Sequence, residues 1–162
     1  MLVASLELVI RPLRPEDLSE LAELWRALAL EGASGGLVLY PPTDENVARW
    51  RKWVASAVER GEVQVLVAEA SGRIVGYVLF GERKSPLLSP YRRGVIYDLY
   101  VRPSWRRRGL GARLLKEALS SLRAMGMDLA TVSVAITNRV ALEFYRRLGF
   151  EDFVLTLVKR LR

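Results

Sequence analysis

The segment RRRGLGARLL, residues 106–115, places three consecutive arginines and two glycines where apolar spacing predicts the start of a helix. A glycine in a helix costs roughly 0.5–1 kcal/mol relative to alanine, so two in one turn indicate that bare backbone is needed there. The first turn of a helix has unpaired N–H groups and a partial positive charge, and anions bind there. The segment therefore predicts a site for an anion such as a pyrophosphate. The alternative is an ordinary tight turn between a strand and a helix.

Residue types absent from the chain restrict the chemistry further. The spacing matches neither the G-x-x-x-x-G-K-[ST] phosphate loop nor the G-x-G-x-x-G dinucleotide fingerprint with its later acid. The chain has no cysteine and no histidine. This removes disulfides, thiolate nucleophiles, the usual histidine base and most zinc sites, so no metal is predicted. Any reaction must use carboxylates, tyrosine, lysine, hydroxyls, water or backbone groups.

A second motif, TNRVALEFYRRLGF, occupies residues 137–150 and helps to interpret the first one. Together the two resemble the GCN5-related N-acetyltransferase family. The family's first signature, [R/Q]-x-x-G-x-[G/A] after a strand ending in V-x-P, matches from Arg106 to Gly111. Its second, N-x-x-A-x-x-F-Y-x-x-x-G-F, matches from Asn138 to Phe150. The resemblance is sharp over residues 98–115 and 138–150.

The resemblance implies transfer of an acetyl group from acetyl-CoA to an amine. Backbone amides of the glycine loop would hold the pyrophosphate, and the preceding strand and Asn138 would contact the pantetheine arm. Tyr145 would be the general acid. The positions that match the family's cofactor contacts are Leu99, Tyr100, Val101, Arg106, Arg107, Arg108, Gly109, Leu110, Gly111, Ala112 and Asn138.

The chemistry of these residues is consistent with that role. A tyrosine with a pKa near 10 can protonate a departing thiolate, and direct attack by an amine needs no protein nucleophile. Asp98, a charged residue in an apolar strand, is the first candidate for the base, acting through water, or for an anchor of a cationic amine. Many relatives carry a glutamate near here, which this chain lacks, so Glu82 and Glu69 remain alternatives. Asp98 could equally be a structural carboxylate paired with an arginine.

The elements around these motifs predict an α/β fold in one domain, residues 1–162. Strands are expected over residues 6–13, 63–70, 73–82, 94–103, 129–136 and 153–161. Helices are expected from Pro15, from Thr43 or Asp44 to about Arg60, over 106–125, and from a cap at Asn138 to about Leu148. The order β-α-α-β-β-β-α-β-α-β corresponds to a mixed, mostly antiparallel sheet flanked by helices.

The acceptor is less well defined by the sequence. Trp25, Trp50, Trp53, Tyr40 and the GASGG segment at 32–36 are expected in the core or, as the alternative, against the acceptor. A primary amine of a small molecule is the preferred acceptor, and a protein N-terminus or lysine is the runner-up. The net charge of +7 suits an anionic ligand. A non-catalytic CoA-binding or nucleic-acid-binding module is the rival, although no nucleic-acid-binding motif accompanies the charge.

The sequence also gives expectations about localisation and assembly. No apolar run reaches the roughly 18–20 residues of a membrane span, and the N-terminal residues lack the pattern of a signal peptide. The expected location is the cytoplasm, without membrane partners. The low content of asparagine and glutamine is typical of thermophilic proteins. A homodimer is an open expectation, because the family often pairs.

Overall fold

The computed structural model describes residues 7–33 and 36–162. Its five strands are β1 (Leu8–Pro12), β2 (Val63–Ala70), β3 (Arg73–Glu82), β4 (Arg93–Val101) and β5 (Leu129–Val132). Its four α-helices are α1 (Leu18–Gly32), α2 (Asp44–Glu59), α3 (Leu110–Ala124) and α4 (Arg139–Arg147). Within the described residues, no helix combines the length and apolarity needed to cross a membrane.

The strands form one sheet in the order β1-β2-β3-β4-β5. The first three pairings are antiparallel and the β4–β5 pairing is parallel, which confirms the predicted mixed, mostly antiparallel sheet. The turn between β2 and β3 has positive φ at both Ser71 (50°) and Gly72 (74°). Two such residues match the twist of flanking strands, which explains why Ser71-Gly72 specifies this hairpin.

The helix starts follow their capping residues. The Thr43 hydroxyl accepts a hydrogen bond from the Asn46 N–H at 3.2 Å, and the Asn138 side chain accepts one from the Ala141 N–H at 3.1 Å. The third helix begins later than predicted, at Leu110 instead of Arg106. Arg107 (φ 60°) and Gly109 (φ 76°) have left-handed backbone conformations, which a right-handed helix cannot include.

Apolar side chains cover both faces of the sheet. On one face α3 and α4 pack against β3 and β4 around Phe80, Leu114 and Tyr145. On the other face α1 and α2 pack around Leu21, Val54 and Tyr77. Strand β4 belongs to both clusters because its side chains alternate, so its residues can reach a site from either side.

The predicted strand at 153–161 is not formed in this structure. Residues 151–162 lie outside the sheet and are exposed. A strand exists only where its N–H and C=O groups find a partner row, and the described chain provides none for this segment. The remaining predicted order is confirmed. Two calls fall partly outside the described residues: Leu6 of the first strand, and Ser34 and Gly35 of the GASGG segment.

Candidate active site

An open strand edge lies at the centre of the sheet, where β4 separates from β5. The two strands pair only from Arg93/Leu129 to Ile96/Val132, whereas β4 continues to Val101 beside β3. The Arg102 N–H donates to the Val75 carbonyl at 2.8 Å, which directs Arg102 toward β3. Backbone N–H and C=O groups point to alternate sides along an antiparallel strand. Those of Tyr100 therefore also point to β3, whereas those of Leu99 and Val101 point to the open side.

The glycine loop adjoins this edge. Gly109 begins α3 in a left-handed conformation, and no side chain caps the helix. The first-turn amides of Leu110, Gly111 and Ala112 therefore lack a side-chain acceptor. A Cβ on Gly111 would lie 3.6 Å from Phe144 Cζ and 3.8 Å from Val101 Cγ2, which are ordinary contacts. The packing of the protein itself therefore does not require glycine at 111.

The three arginines of the loop differ in what they contact. Arg106 Nε donates to the Val101 carbonyl at 2.8 Å, its Nη2 lies 2.6 Å from a Glu31 oxygen, and its guanidinium covers the Tyr100 ring. Arg106 therefore fixes the loop to β4 and α1, and Glu31 neutralises its charge. Arg107 and Arg108 are exposed, and Arg108 lies over the Trp105 ring at 5.0 Å. No carboxylate in the described ranges pairs with either, so both keep a charge available to an anion.

Asp98 lies two residues beyond the last β4–β5 pair and is half-buried. The Tyr77 hydroxyl donates to Asp98 Oδ2 at 3.2 Å, and the Trp50 side chain donates a second hydrogen bond. No arginine in the described part of the chain contacts it, so the structural ion pair considered above is not present. Burial raises the pKa of Asp98 to about 6, although both hydrogen bonds oppose this shift.

Tyr145 lies on α4, in the apolar cluster that packs against β3 and β4. Its ring packs edge-on against Phe144 and Phe150, and the residue is 9% exposed. Burial, and then the Asp98 charge, raise the pKa of Tyr145 to about 12. No group in the described residues hydrogen-bonds its hydroxyl, and no fully buried side-chain oxygen there lacks a partner, so the hydroxyl reaches solvent. The Tyr145 phenol thus lies within the electrostatic influence of Asp98.

The remaining predicted residues occupy different surroundings. Asn138 is exposed and caps α4. Glu82 pairs with Arg92, and Glu69 pairs with Arg11, so both alternative bases are neutralised.

The tryptophans of α1 and α2 make two separate aromatic contacts. Trp25 stacks on Trp50 at 5.6 Å, and Trp53 packs edge-on against Tyr97. Sequence reasoning missed Tyr77 and Trp50 as the residues that hold Asp98. Tyr77 could have been found from strand register, because it is the diagonal neighbour of Asp98 through its partner Tyr100.

An open strand edge beside an uncapped, glycine-containing helix start is the arrangement that the resemblance to CoA-dependent acetyltransferases implies. The model of the Acetyltransferase (GNAT) family matches residues 20–150, and the chain belongs to this family.

Curated relatives support the assignment. The uncharacterized N-acetyltransferase MJ1207 of Methanocaldococcus jannaschii is 30% identical over 144 residues, which cover 88% of this chain. The L-methionine sulfoximine/L-methionine sulfone acetyltransferase of Pseudomonas aeruginosa is 26% identical over 113 residues, 70% of this chain. The matched regions span 60% of the first relative's length and 64% of the second's.

A solved structure shows the same fold. The aminoglycoside N-acetyltransferase AAC(6')-Iy in complex with CoA superposes with a TM-score of 0.76 at 18% identity. The match covers 100% of this chain and 99% of that one. The predicted fold class is therefore confirmed.

Proposed function

We propose that this protein is an acetyl-CoA-dependent N-acetyltransferase that acts on a primary amine of a small molecule by direct attack in a ternary complex. One observation carries the proposal. Asp98 bonds to Tyr77 in the cluster on one face of the sheet, Tyr145 lies in the cluster on the other face, and β4 between them has lost its partner strand at Asp98. Acid–base chemistry on a ligand held along that edge needs such a pair.

The surroundings of the edge fit acetyl-CoA. The uncapped amides of Leu110, Gly111 and Ala112 would hold its pyrophosphate, with Arg107 and Arg108 adding charge. The outward backbone groups of Leu99 and the Val101 N–H would pair with the amides of the pantetheine arm, since the Val101 carbonyl already accepts a hydrogen bond from Arg106. Arg106 supports the loop from behind, since its guanidinium is already bound to Val101 and Glu31.

Acetyl-CoA would supply an activated acyl group as a thioester. The Leu99 N–H faces the open edge and can donate to the thioester carbonyl, whereas the Tyr100 N–H is directed to β3. Asp98 Oδ1 or Oδ2 can accept the proton of the amine, directly or through water, because its pKa of about 6 leaves it ionised at neutral pH. The Tyr145 hydroxyl can deliver a proton to the leaving sulfur, because its pKa of about 12 keeps it protonated.

The acceptor preference rests on the site and on the relatives. The P. aeruginosa relative is described as acetylating amino-acid analogues, and AAC(6')-Iy acts on aminoglycosides. Asp98 is set among Tyr77, Trp50 and Tyr145, which suits the ammonium group of a small acceptor. A protein N-terminus or lysine is the alternative acceptor. A non-catalytic CoA-binding or nucleic-acid-binding module is the alternative of another class.

Calorimetric titration of acetyl-CoA at low and moderate salt tests the binding half of the proposal. We expect binding that survives added salt, and weaker, steeply salt-dependent binding of a short DNA duplex. Gly111→Val should weaken acetyl-CoA binding by about 100-fold or more, because its branched side chain would fill the space beside Phe144 and Val101. Gly111→Ala is the matched control, since its Cβ makes only ordinary contacts. Salt-sensitive DNA binding without acetyl-CoA binding would overturn the proposal.

A thiol-release assay with an amine panel tests the catalytic half. The panel should contain amino acids and their analogues, polyamines, aminoglycosides and short peptides with a free N-terminus or lysine. Turnover with free small amines and none with peptides is the expected result. Turnover with peptides alone would replace the small-molecule acceptor with a protein. Binding of acetyl-CoA without turnover on any member would favour the non-catalytic module.

A further inference from the structure

Two aromatic side chains, Trp53 on α2 and Tyr97 on β4, form an exposed pair beside the candidate active site. Their rings meet edge-on, with 6.1 Å between centroids and 76° between planes. Trp53 is 41% exposed and Tyr97 is 40% exposed. Rings of this size bury a large apolar area when a ligand contacts them. The pair is therefore a surface that the apolar part of a ligand can cover.

A β-bulge in β4 places Tyr97 on the same face of the sheet as Asp98. Ile96 and Asp98 pair with adjacent residues of β3, so Tyr97 between them has no partner in that strand. A bulge of this kind redirects a side chain. Ile96 lies in the cluster with α3 and α4, whereas Tyr97 and Asp98 both contact tryptophans of α2. The bulge thus brings an aromatic ring next to the carboxylate.

The aromatic pair lies about one helical turn from the Asp98 carboxylate. The Trp50 side chain donates a hydrogen bond to Asp98, and Trp53 on the same helix packs against Tyr97. Three residues along a helix correspond to a rise of about 4.5 Å, so the two contacts are neighbours. An amine whose nitrogen contacts Asp98 therefore has its first few carbon atoms within reach of both rings.

The charges around the pair suit an acceptor with a single positive charge. Arg49 lies four residues before Trp53 and Arg60 seven residues after it, which places all three on one side of the helix. Each arginine pairs with a neighbouring glutamate. Glu59 lies six residues after Trp53, roughly 120° away around the helix. Asp98 can hold one ammonium group, and further ammonium groups would meet arginines in ion pairs instead of free carboxylates.

We propose that Trp53 and Tyr97 select the acceptor, which is a primary amine with one positive charge and an apolar body, not a polyamine or an aminoglycoside. This selection rests on the proposed acetyltransferase function, in which the amine nitrogen lies at Asp98. The two rings cover the apolar body and remove it from water. The free energy gained grows with the apolar area buried, so a larger apolar body strengthens binding.

Steady-state acetylation of ethylamine, isoamylamine, phenethylamine and spermidine tests the selection. In the wild type, kcat/KM should be about 10-fold or more higher for the two apolar amines than for ethylamine, and spermidine should not share this advantage. Trp53→Ala and Tyr97→Ala should each lower kcat/KM for phenethylamine about 10-fold more than for ethylamine, mainly through KM. Trp53→Phe should recover most of this loss, because it keeps a ring at the same place.

Phe153→Ala is the matched control. It removes an exposed ring from the segment that follows α4, on the opposite face of the sheet from α2. The ratio of kcat/KM between phenethylamine and ethylamine should stay at the wild-type value in this variant.

Failure of the selection is distinguishable from failure of the acetyltransferase function. The selection alone would be overturned by a preference for spermidine, by an apolar preference that both alanine variants retain, or by an equal loss on all amines in those variants. Turnover with other members of the wider panel but with none of these four amines would also overturn it alone. Absence of turnover with every amine tested would overturn both.

Discussion

Two carboxylates, Asp17 and Asp98, are withdrawn from water in this protein, and they are held in opposite ways. Asp17 accepts two hydrogen bonds from the Arg11 guanidinium, at 2.7 and 3.0 Å, and one from the Arg14 N–H at 2.7 Å. Asp98 accepts hydrogen bonds from the neutral side chains of Tyr77 and Trp50. The pKa of Asp17 falls below its usual value because of Arg11, whereas burial raises that of Asp98 to about 6.

The difference separates a structural carboxylate from one able to exchange protons. A counter-cation stabilises the charged form, so Asp17 stays ionised and connects β1 to the start of α1 through Arg11. Without a cation, Asp98 changes its charge near neutral pH. The sequence analysis considered an arginine partner for Asp98, and the structure places that arrangement at Asp17 instead.

The largest expected effect is the loss of activity in Asp98→Asn. We expect kcat/KM to fall by about 10³-fold, because the asparagine cannot accept the amine proton. The fold should be retained. The pKa of Asp98 is raised in the folded state, so its contribution to stability is lost as the pH rises through about 6, and asparagine avoids that loss. Steady-state kinetics and chemical denaturation at neutral pH measure the two quantities, and unchanged turnover would remove Asp98 from the mechanism.

Asp17→Asn should show the opposite pattern. We expect a loss of about 2 kcal/mol in the free energy of unfolding, because Arg11 loses its bidentate partner and keeps only its ion pair with Glu69. The wild-type stabilisation is present above the usual pKa of 3.8 and is lost as the pH falls through the lower folded-state value. Urea denaturation at neutral and acidic pH tests this. Equal stability of variant and wild type at neutral pH would argue against a structural role.

Tyr145→Phe tests the proposed general acid. We expect kcat to fall by about 10²-fold, because the leaving sulfur loses its proton donor. The affinity for acetyl-CoA should change little, since the ring and its contacts with Phe144 and Phe150 are kept. Single-turnover kinetics and calorimetry separate the two effects. A fully active variant would assign Tyr145 to core packing alone.

The smallest effect is a shift in the pH profile. Wild-type kcat/KM should rise with pH through about 6 if the ionised form of Asp98 is the base, as proposed. The Tyr77 hydrogen bond favours that ionised form, so Tyr77→Phe should move the midpoint upward. Trp53→Phe serves as a control, since Trp53 contacts Tyr97 rather than Asp98. A midpoint that stays in place in Tyr77→Phe would mean that another group titrates.

The local structure of the proposed cofactor loop was more predictable than the surroundings of the proposed catalytic residues. The glycine loop and Asn138 depend on contiguous residues, and local rules of helix capping and backbone freedom apply to them directly. Arg106 shows the limit of these local rules. The sequence grouped it with Arg107 and Arg108, but its role depends on Glu31, which is distant along the chain. Sequence spacing alone does not identify such partners.

The sequence by itself determined the family motifs, the hairpin, the helix caps and the mixed sheet, because these follow from short-range periodicity and turn chemistry. Only the tertiary structure decided which buried carboxylate has a cation, where β4 loses its neighbour, and that residues 153–161 stay off their own sheet. Each of these depends on contacts between distant segments. The free energy of a charge or of a strand edge is set by the groups that surround it in space.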